Sequence, residues 1–338
     1  MQTHHKFTEA YQKPKNNRIG KLNIKMSEKI AILIPAYNEE QTITKVIADF
    51  RRVLPEAEIY VYDNNSKDKT SELARETGAH VVFEPRQGKG NVVRSMFRDI
   101  NADYYIMVDA DDTYPATEVD KLLEPLRSGL ADMTIGDRLS NGTYSNENKR
   151  PFHDLGNNLV KGLINNLYKG HYQDIMTGYR GFNRLFVKSF PVLSPGFEIE
   201  TELSIHAMDK RFKLVEVPIS YQDRPEGSES KLNTYSDGVK VLATIFRLFK
   251  DYKPMRFFGI LALLFFIIGI LVGVPVLIEF ARTQFITHVP LAMLAVGLMI
   301  LAALFLISGL ILDTIVRQSR MSYELYIYQV MEQNHHDR

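Results

Sequence analysis

The chain has 338 residues, with 41 basic and 40 acidic side chains, and its formal net charge at pH 7 is +1. A balance this close to neutral argues against the basic surface typical of nucleic-acid-binding proteins, so no nucleic acid is expected as a partner. The sequence contains no cysteine, which excludes disulfide bonds, thiolate catalysis and metal sites built on cysteine.

The first half of the chain alternates short β-rich runs with helical patterns. A polar stretch without periodicity, residues 1–26, precedes them and is expected to be a flexible tail. Strands are predicted at 29–35, 58–63, 80–84, 104–109 and 132–136. Helices are predicted between them, at about 39–54, 68–77, 88–99 and 117–128. This alternation is typical of a mostly parallel sheet covered on both faces by helices, whose ligands bind beyond the carboxyl ends of the strands.

Polar motifs follow three of these predicted strands. Residues 35–39 (PAYNE) follow the first strand, residues 63–70 (DNNSKDKT) follow the second, and residues 109–111 (DAD) end the fourth. Carboxylates crowded at a strand end repel one another unless a cation lies between them. Mg²⁺ and Mn²⁺ prefer such oxygen ligands, so the last motif suits a divalent cation, although an acidic loop gives the same pattern.

The three motifs, in this order, resemble those of family 2 glycosyltransferases. Further matches lie at 136–138 (GDR), 174–180 (DIMTGYR) and 224–232 (RPEGSESKL). Together they look like the polyprenyl-phosphate branch of that family, which includes dolichol-phosphate mannose synthase and bacterial bactoprenol glucosyltransferases. The resemblance covers about residues 28–250 and implies a catalytic domain of the GT-A fold, which is α/β, Rossmann-like and mostly parallel.

The resemblance also implies a nucleotide-sugar site and a metal site. The residues expected to bind the nucleotide-sugar are Pro35, Tyr37, Glu39, Asp63, Asn65, Lys89, Asp109, Ala110 and Asp111. Among these, Asp109 and Asp111 are expected to hold Mg²⁺ or Mn²⁺ against the donor diphosphate. Residues 87–90 (QGKG) open a predicted helix, where backbone N–H groups and Lys89 could face the anionic donor, or could form a surface turn.

An acceptor that is a lipid phosphate changes the chemistry required of the protein. A hydroxyl acceptor must lose a proton to a general base, whereas a phosphate is already an anion and can attack directly. The enzyme then has to bring two anions together, a task suited to guanidinium groups. The residues that the family pattern places there are Arg138, Arg180, Arg224, Lys231 and Asp174. Each cation could instead be a solvated surface residue, and Asp174 could be a base, an acceptor-positioning group or a metal ligand.

Two uncharged apolar runs, residues 257–278 and 289–312, lie near the end of the chain. At about 1.5 Å per residue each is long enough for a hydrocarbon core of about 30 Å, so transmembrane helices are predicted at 257–280 and 289–312. A pair of buried helices in a soluble core is the alternative. Basic residues flank the outer ends of the runs, which predicts that the catalytic domain and the tail 313–338 face the cytoplasm.

Two further segments have amphipathic patterns with basic residues, at 154–169 and 235–250. Such helices can lie in the headgroup region of a membrane or pack their apolar faces on the core. The predicted organisation is therefore a catalytic domain at 27–232, an interfacial helix at 233–256 and a transmembrane hairpin. His206 and the acidic residues Glu198, Glu200 and Glu202 fit a structural role, the acids because they begin a predicted helix.

The sequence thus predicts a multi-pass enzyme of the cytoplasmic membrane that transfers a hexose, from UDP-glucose or UDP-N-acetylglucosamine, to undecaprenyl phosphate. GDP-mannose as donor, or a non-catalytic scaffold that only binds nucleotide, are the alternatives. A processive polysaccharide synthase is disfavoured, because those enzymes carry a tryptophan-containing motif and the chain has no tryptophan. The resemblance also implies self-association in the membrane, a tetramer being one arrangement.

Overall fold

The computed structural model of the protein describes residues 28–140, 161–162, 164–166, 172–224, 243, 246–247 and 249–336. The predicted tail 1–26 lies outside these residues, as do Lys231 and most of the two amphipathic segments 154–169 and 235–250.

One sheet of seven strands runs through the described residues. The strands are β1 (Ile30–Ala36), β2 (Glu58–Asp63), β3 (His80–Phe83), β4 (Tyr104–Met107), β5 (Met133–Asp137), β6 (Arg180–Asn183) and β7 (Leu214–Pro218). Their order across the sheet is β3-β2-β1-β4-β6-β5-β7. All pairings are parallel except those of β6, which runs antiparallel to β4 and β5. The predicted mostly parallel sheet is confirmed.

The antiparallel direction of β6 decides which loop reaches the functional edge of the sheet. Arg180, the first residue of β6, lies opposite Met107 at the carboxyl end of β4. The amino end of β6 therefore shares an edge with the carboxyl ends of the parallel strands. As a result, the segment 174–179, which precedes β6, joins the motifs that follow β1, β2 and β4.

Helices cover both faces of the sheet. They are α1 (Ile43–Val53), α2 (Thr70–Glu76), α3 (Lys89–Asp99), α4 (Val119–Arg127), α5 (Arg184–Ser189) and α6 (Ile199–Asp209). Side chains of a strand alternate between faces, so Ile32 of β1 lies in a cluster with α1 and α4, whereas Leu33 lies in a second cluster with α3, α5 and α6. Because both faces are buried, β1 reads as a continuous apolar run rather than an alternating one.

Two long helices follow, α7 (Pro254–Thr283) and α8 (Val289–His336). By length and composition both could cross a membrane, and only 17% of the most apolar window of each is buried. They pack against each other, with the Phe265 and Phe305 rings 5.3 Å apart. The segment 313–336, predicted only as a tail, continues α8 without a break.

A small third cluster joins the α/β part of the chain to the segment just before α7. Ile164, Ile175 and Ile205 are buried together, and Tyr252 packs against them. Ile164 belongs to the amphipathic segment 154–169, so at this residue the apolar face packs on the protein. The same cluster brings the chain just before α7 close to the 174–179 segment.

Candidate active site

The loops after β1 and β2 are bonded to each other at the carboxyl edge of the sheet. The backbone N–H of Asn38 donates to Ser66 Oγ at 2.9 Å, and that of Glu39 donates to Thr70 Oγ1 at 2.8 Å. Asn38 and Asn65 have φ angles of 53° and 66°, a left-handed conformation that asparagine tolerates better than most residues. These contacts fix the predicted nucleotide-binding segment around Pro35, Tyr37, Glu39, Asp63 and Asn65.

Asn64 has a structural role that the sequence did not reveal. Its side-chain amide donates to the carbonyls of Glu84 and Arg86, at 3.1 and 2.7 Å, and its Oδ1 accepts from the N–H of Gly88 at 2.7 Å. The residue is buried. Asn64 therefore holds the turn that leads into α3, a task that needs both a donor and an acceptor on one short side chain.

At the amino end of α3 the backbone N–H groups of Gly90 and Asn91 bond to protein, so donor binding by this helix start stays a prediction that depends on Lys89. The N–H of Gly90 donates to the carbonyl of Gly196 and that of Asn91 to Pro195, both at 3.2 Å. A Cβ on Gly88 would lie 2.2 Å from the Pro195 oxygen, and one on Gly90 would lie 1.9 Å from the Ser194 oxygen. The glycines are thus required for the close approach of the segment 194–196.

The Lys89 side chain, by contrast, does point into the site. Its ammonium group lies 2.5 Å from Asp109 Oδ1 and 2.7 Å from Glu200 Oε1, and its side chain is 8% exposed. Burial alone would lower the pKa of Lys89, but the two carboxylates outweigh it and raise the pKa. Burial raises the pKa of Glu200, an effect that Lys89 opposes. Glu200, expected only to begin α6, is thus a second carboxylate of the site.

Asp111 lies at the rim of the site and is paired with Arg224. Arg224 Nη2 is 2.5 Å from Asp111 Oδ2, and its Nη1 is 3.7 Å from Glu39 Oε1. The hydroxyl of Thr113 donates to Asp111 Oδ1 at 2.7 Å. Burial raises the pKa of Asp111, the charge of Asp109 raises it further, and Arg224 acts in the opposite direction. The pairing places residues from three separate motifs side by side.

Asp174 and Arg138 form a buried two-point ion pair. Arg138 Nε is 2.7 Å from Asp174 Oδ2 and its Nη2 is 2.9 Å from Asp174 Oδ1, while Asp174 is fully buried. Burial alone would raise the pKa of Asp174, but the Arg138 guanidinium outweighs this and keeps the pKa below its ordinary value. Asp174 is therefore a carboxylate in the resting protein.

Tyr114 connects this pair to the rest of the site. Its hydroxyl lies 3.3 Å from Arg138 Nη1, and it accepts from the N–H of Gly178 at 3.1 Å. Gly178 packs against Asp109 so closely that a Cβ there would lie 2.3 Å from Asp109 Oδ2. The Asp174–Arg138 pair and the Asp109–Lys89 pair are consequently neighbours within one site.

Arg180 lies behind the site. Its guanidinium is fully buried and donates to the carbonyls of Thr177 and Ile175 and to the Ser204 hydroxyl. Burial lowers the pKa of Arg180 to about 10. Arg180 therefore fixes the 175–177 segment to α6, and its contacts are with protein rather than with an open phosphate-binding surface. Lys231, the other predicted cation, lies outside the described residues.

The carboxylates of the rim fit the predicted divalent cation. Within the described part of the chain no group of three or more His, Cys, Asp or Glu side chains is arranged to hold a metal ion. Asp109 and Asp111 supply hard oxygen ligands, and the raised pKa of Asp111 reflects their mutual repulsion as well as burial. Two carboxylates leave positions open for diphosphate oxygens, as Mg²⁺ and Mn²⁺ sites in nucleotide enzymes do.

Comparison with known proteins identifies the family. Residues 31–190 match the family described as Glycosyl transferase family 2. Over 295 residues the chain is 33% identical to glycosyltransferase AglJ of Haloferax volcanii, covering 86% of this chain and 95% of that protein. The chain belongs to glycosyl transferase family 2.

Other members and solved structures extend this assignment. The dolichyl-phosphate hexose transferase of Haloferax volcanii is 29% identical to this family 2 chain over 212 residues, covering 63% of it and 90% of that protein. A structure of Mycobacterium tuberculosis glucosyl-3-phosphoglycerate synthase with Mn²⁺, UDP and glucosyl-3-phosphoglycerate aligns with a TM-score of 0.55 at 21% identity. That alignment covers 66% of this chain and 81% of the other. The predicted family and GT-A fold are confirmed.

Proposed function

We propose that this family 2 enzyme transfers a hexose, with inversion, from a nucleotide-sugar to a polyprenyl phosphate at a membrane surface. The observation that carries the proposal is the contact between the site and the segment that leads into the first membrane-type helix. Ile175, the neighbour of Asp174, packs in one cluster with Tyr252, which lies two residues before α7. A lipid acceptor held in the bilayer would need a site placed in this way.

The donor would lie along the carboxyl ends of β1, β2 and β4. Pro35, Tyr37, Glu39, Asp63 and Asn65 line the strand ends where nucleotides bind in open α/β sheets. Asp109 and Asp111 would hold Mg²⁺ or Mn²⁺, which would neutralise charge on the leaving diphosphate. UDP-glucose and UDP-N-acetylglucosamine are the donors that we propose.

The acceptor would approach from the side of Asp174 and Arg138. A phosphate oxygen of the lipid attacks the anomeric carbon, the bond from that carbon to the diphosphate breaks, and the nucleoside diphosphate leaves. No proton has to be removed from the acceptor, which agrees with an Asp174 held as a carboxylate by Arg138. Arg224, which lies at the rim within reach of Asp111, supplies positive charge between the two anionic substrates.

The placement of the helices in the membrane follows from charge. Lys250, Lys253 and Arg256 precede the apolar part of α7, and Arg317 and Arg320 follow that of α8. By the positive-inside rule both ends face the cytoplasm, together with the catalytic domain. The enzyme would therefore use cytoplasmic nucleotide-sugars and a lipid phosphate in the inner leaflet.

The test is a transfer assay with the full chain in liposomes that contain undecaprenyl phosphate. UDP-glucose, UDP-N-acetylglucosamine and GDP-mannose are supplied separately, with Mg²⁺ or Mn²⁺, and the lipid product is identified by mass. We expect one of the UDP-sugars to give a lipid-monophosphate hexose in a metal-dependent reaction. Asp111→Asn should reduce the rate by a factor of about 100 or more.

The matched control is Asp120→Asn, because the Asp120 side chain is 71% exposed on α4. It should leave the rate unchanged. Preferred use of GDP-mannose would overturn the donor assignment. A polymer, free sugar or no lipid product with any donor would overturn the acceptor assignment, and nucleotide binding without turnover would indicate a scaffold.

A further inference from the structure

Helix α8 continues far beyond the stretch that could cross a membrane. Its uncharged part ends before Asp313, and the helix runs on to His336, which adds about 36 Å at 1.5 Å per residue. No proline occurs between Leu291 and His336, and the helix runs without a break through Ser308 and Gly309, which precede Asp313 by about one turn. The transmembrane-type part and its extension are therefore one continuous rod.

The extension packs on the catalytic domain through a partly buried hydrogen-bond chain. The Tyr323 hydroxyl donates to the carbonyl of Ser189, at the end of α5, at 3.1 Å. The same hydroxyl lies 2.8 Å from Nε2 of His206 on α6. Since the single hydroxyl proton points to Ser189, Nε2–H of His206 must be the donor to Tyr323. His206 is buried among the rings of Phe186, Phe190 and Phe212, as its predicted structural role requires.

An ion pair one turn earlier on α8 reinforces this contact. Arg320 Nη2 lies 2.5 Å from Asp209 Oδ1, and the Asp209 side chain is 1% exposed. The same Nη2 donates to the carbonyl of Tyr252, just before α7, at 3.3 Å. Arg320 therefore joins three parts of the chain: the end of α6, the entry to α7 and the extension of α8.

The other end of α6 reaches into the candidate active site. Glu200, in its first turn, pairs with Lys89, which in turn contacts Asp109. Ser204, one turn later, bonds to Arg180, the residue that holds the 175–177 segment. α6 thus carries two residues that support the site and two, His206 and Asp209, that hold the extension of α8.

We propose that Arg320 and Tyr323 are positioning residues that set the height and orientation of the active site relative to the bilayer. The proposal rests on the proposed function, since it assumes an acceptor phosphate located at the membrane surface. The contacts to α6 fix a rigid helix to the element that supports Lys89 and Arg180. The phosphate of a membrane-held acceptor then lies at the height of the donor site, and the catalytic domain does not have to move relative to the bilayer to reach it.

This role predicts a selective defect. Loss of the contact should not change the donor site itself, because Arg320 and Tyr323 touch neither the strand ends nor the rim carboxylates in the described structure. It should weaken only the encounter with an acceptor confined to the bilayer, because a misplacement of about 1 Å can cost a factor of about 100 in rate. A short, water-soluble acceptor can diffuse to the site whatever its height.

The test compares Arg320→Gln and Tyr323→Phe with the wild-type full chain. We expect KM for undecaprenyl phosphate in vesicles to rise about tenfold, with a change of less than about twofold for a soluble ten-carbon polyprenyl phosphate in detergent. Affinity for the donor, measured by calorimetry, should stay the same. Arg317→Gln is the matched control, since Arg317 pairs with Asp313 on its own helix.

Equal losses with both acceptors, or a weaker donor affinity, would overturn the proposal in favour of a general structural role. Unchanged kinetics would overturn it as well. The exchanged pair Arg320→Asp with Asp209→Arg should recover part of the vesicle KM, because it restores opposite charges at the same positions.

A second measurement does not depend on activity. The chain lacks cysteine, so Ser128→Cys, an exposed position after α4, gives a single labelling site on the catalytic domain. Energy transfer from this label to acceptor dyes in the bilayer should report one narrow distance for the wild type and a broader or shifted one for Arg320→Gln. An unchanged distance would overturn the positioning role whether or not the wild type transfers sugar to lipid. A failure of that transfer would overturn the proposed function, and with it the argument from a membrane-held acceptor.

Discussion

Two arginine–carboxylate pairs meet at the site, and they are built differently. Arg138 donates to Asp174 through two nitrogens, and the Arg138 and Asp174 side chains are 11% and 0% exposed. Arg224 touches Asp111 with one nitrogen, and the side chains are 21% and 7% exposed. Arg138 follows β5 and faces a segment anchored by β6, whereas Arg224 lies on the segment after β7.

The difference separates a fixed part of the site from an exchangeable one. Removing one partner of a buried pair leaves a charge without solvent or partner, which costs about 3–5 kcal/mol, whereas a partly exposed pair contributes about 1 kcal/mol or less. Asp174 and Arg138 are therefore part of the framework of the protein. Arg224, whose side chain is 21% exposed, is the partner that solvent reaches, whereas Asp111 is buried, so a metal ion or a phosphate would have to replace the positive charge that Arg224 supplies.

The largest expected effect is that of Asp174→Asn, which breaks the fixed pair. It should lower the free energy of unfolding by about 3–5 kcal/mol, since Arg138 stays buried without its counterion. Sugar transfer should be lost as well. Chemical denaturation in detergent, followed by circular dichroism, measures the first effect.

The double variant Arg138→Met with Asp174→Leu sharpens this test. It removes both charges, so much of the stability should return while transfer stays lost. If Asp174→Asn were as stable as the wild type, the pair would not be part of the framework.

Gly90→Ala should have the next largest effect, because it acts on the closed amino end of α3. The added Cβ would overlap the Ser194 oxygen, so the segment 194–196 must move and release the N–H groups of Gly90 and Asn91. A loss of about 1–3 kcal/mol in unfolding free energy is expected. Gly297→Ala, with no atom within 4 Å of its Cβ, should cost much less, and equal costs would contradict the close packing.

Arg224→Gln should change binding more than stability. The unfolding free energy should fall by less than it does for Asp174→Asn, because the Arg224 side chain is 21% exposed and water can reach the position that it vacates beside Asp111. KM for the nucleotide-sugar or the lipid phosphate should rise about tenfold, the scale of one charge-assisted hydrogen bond. Arg98→Gln, at a 64% exposed side chain, is the control. A stability loss as large as that of Asp174→Asn would remove the distinction between the two pairs.

The most gradual effect concerns pH and His206, near the carboxyl end of α6. Burial lowers the pKa of His206 from 6.5 to about 3, so the folded protein holds the ring neutral. Below pH 6.5 the unfolded chain binds this proton and the folded chain does not, so stability falls as the pH decreases. Between pH 6.5 and 5 the slope should be about 1 kcal/mol per pH unit, measured by denaturation at each pH.

His206→Gln supplies the control for the pH effect. The glutamine amide can still donate to Tyr323 but does not titrate, so the slope in this window should flatten. An unchanged slope would assign the pH dependence to other groups.

Short apolar runs separated by helical patterns made the first five strands and the first four helices predictable to within a few residues. β1 and β4 are buried on both faces, so their sequences carry little but apolar side chains. β6 was missed because Phe182 is its one large apolar residue, and β7 because Glu216 interrupts its short apolar run. The partners of Arg180 and Glu216 come from distant parts of the chain. Local patterns do not record such partners.

The same limit applies to the site. The motifs and the carboxylate pair at Asp109 and Asp111 could be read from the sequence, because each motif is contiguous and ends a strand. Two ion pairs could not be read from the sequence, that of Asp174 with Arg138 and that of Glu200 with Lys89. Both depend on how the chain returns to the same edge of the sheet. Glu200 also looks like its neighbours Glu198 and Glu202, and only its position on α6 separates it from them.

The unbroken course of α8 has a consequence for the lipid environment. A helix longer than the local hydrocarbon thickness adapts by tilting, and a tilt of the upper part of a rigid rod swings its lower part by the same angle. Arg320 and Tyr323 sit on that lower part. Acyl-chain length and sterol content set the hydrocarbon thickness, so they would change the orientation of the catalytic domain through the tilt of α8. Reconstitution in short-chain and long-chain lipids should therefore give different turnover with the same substrates.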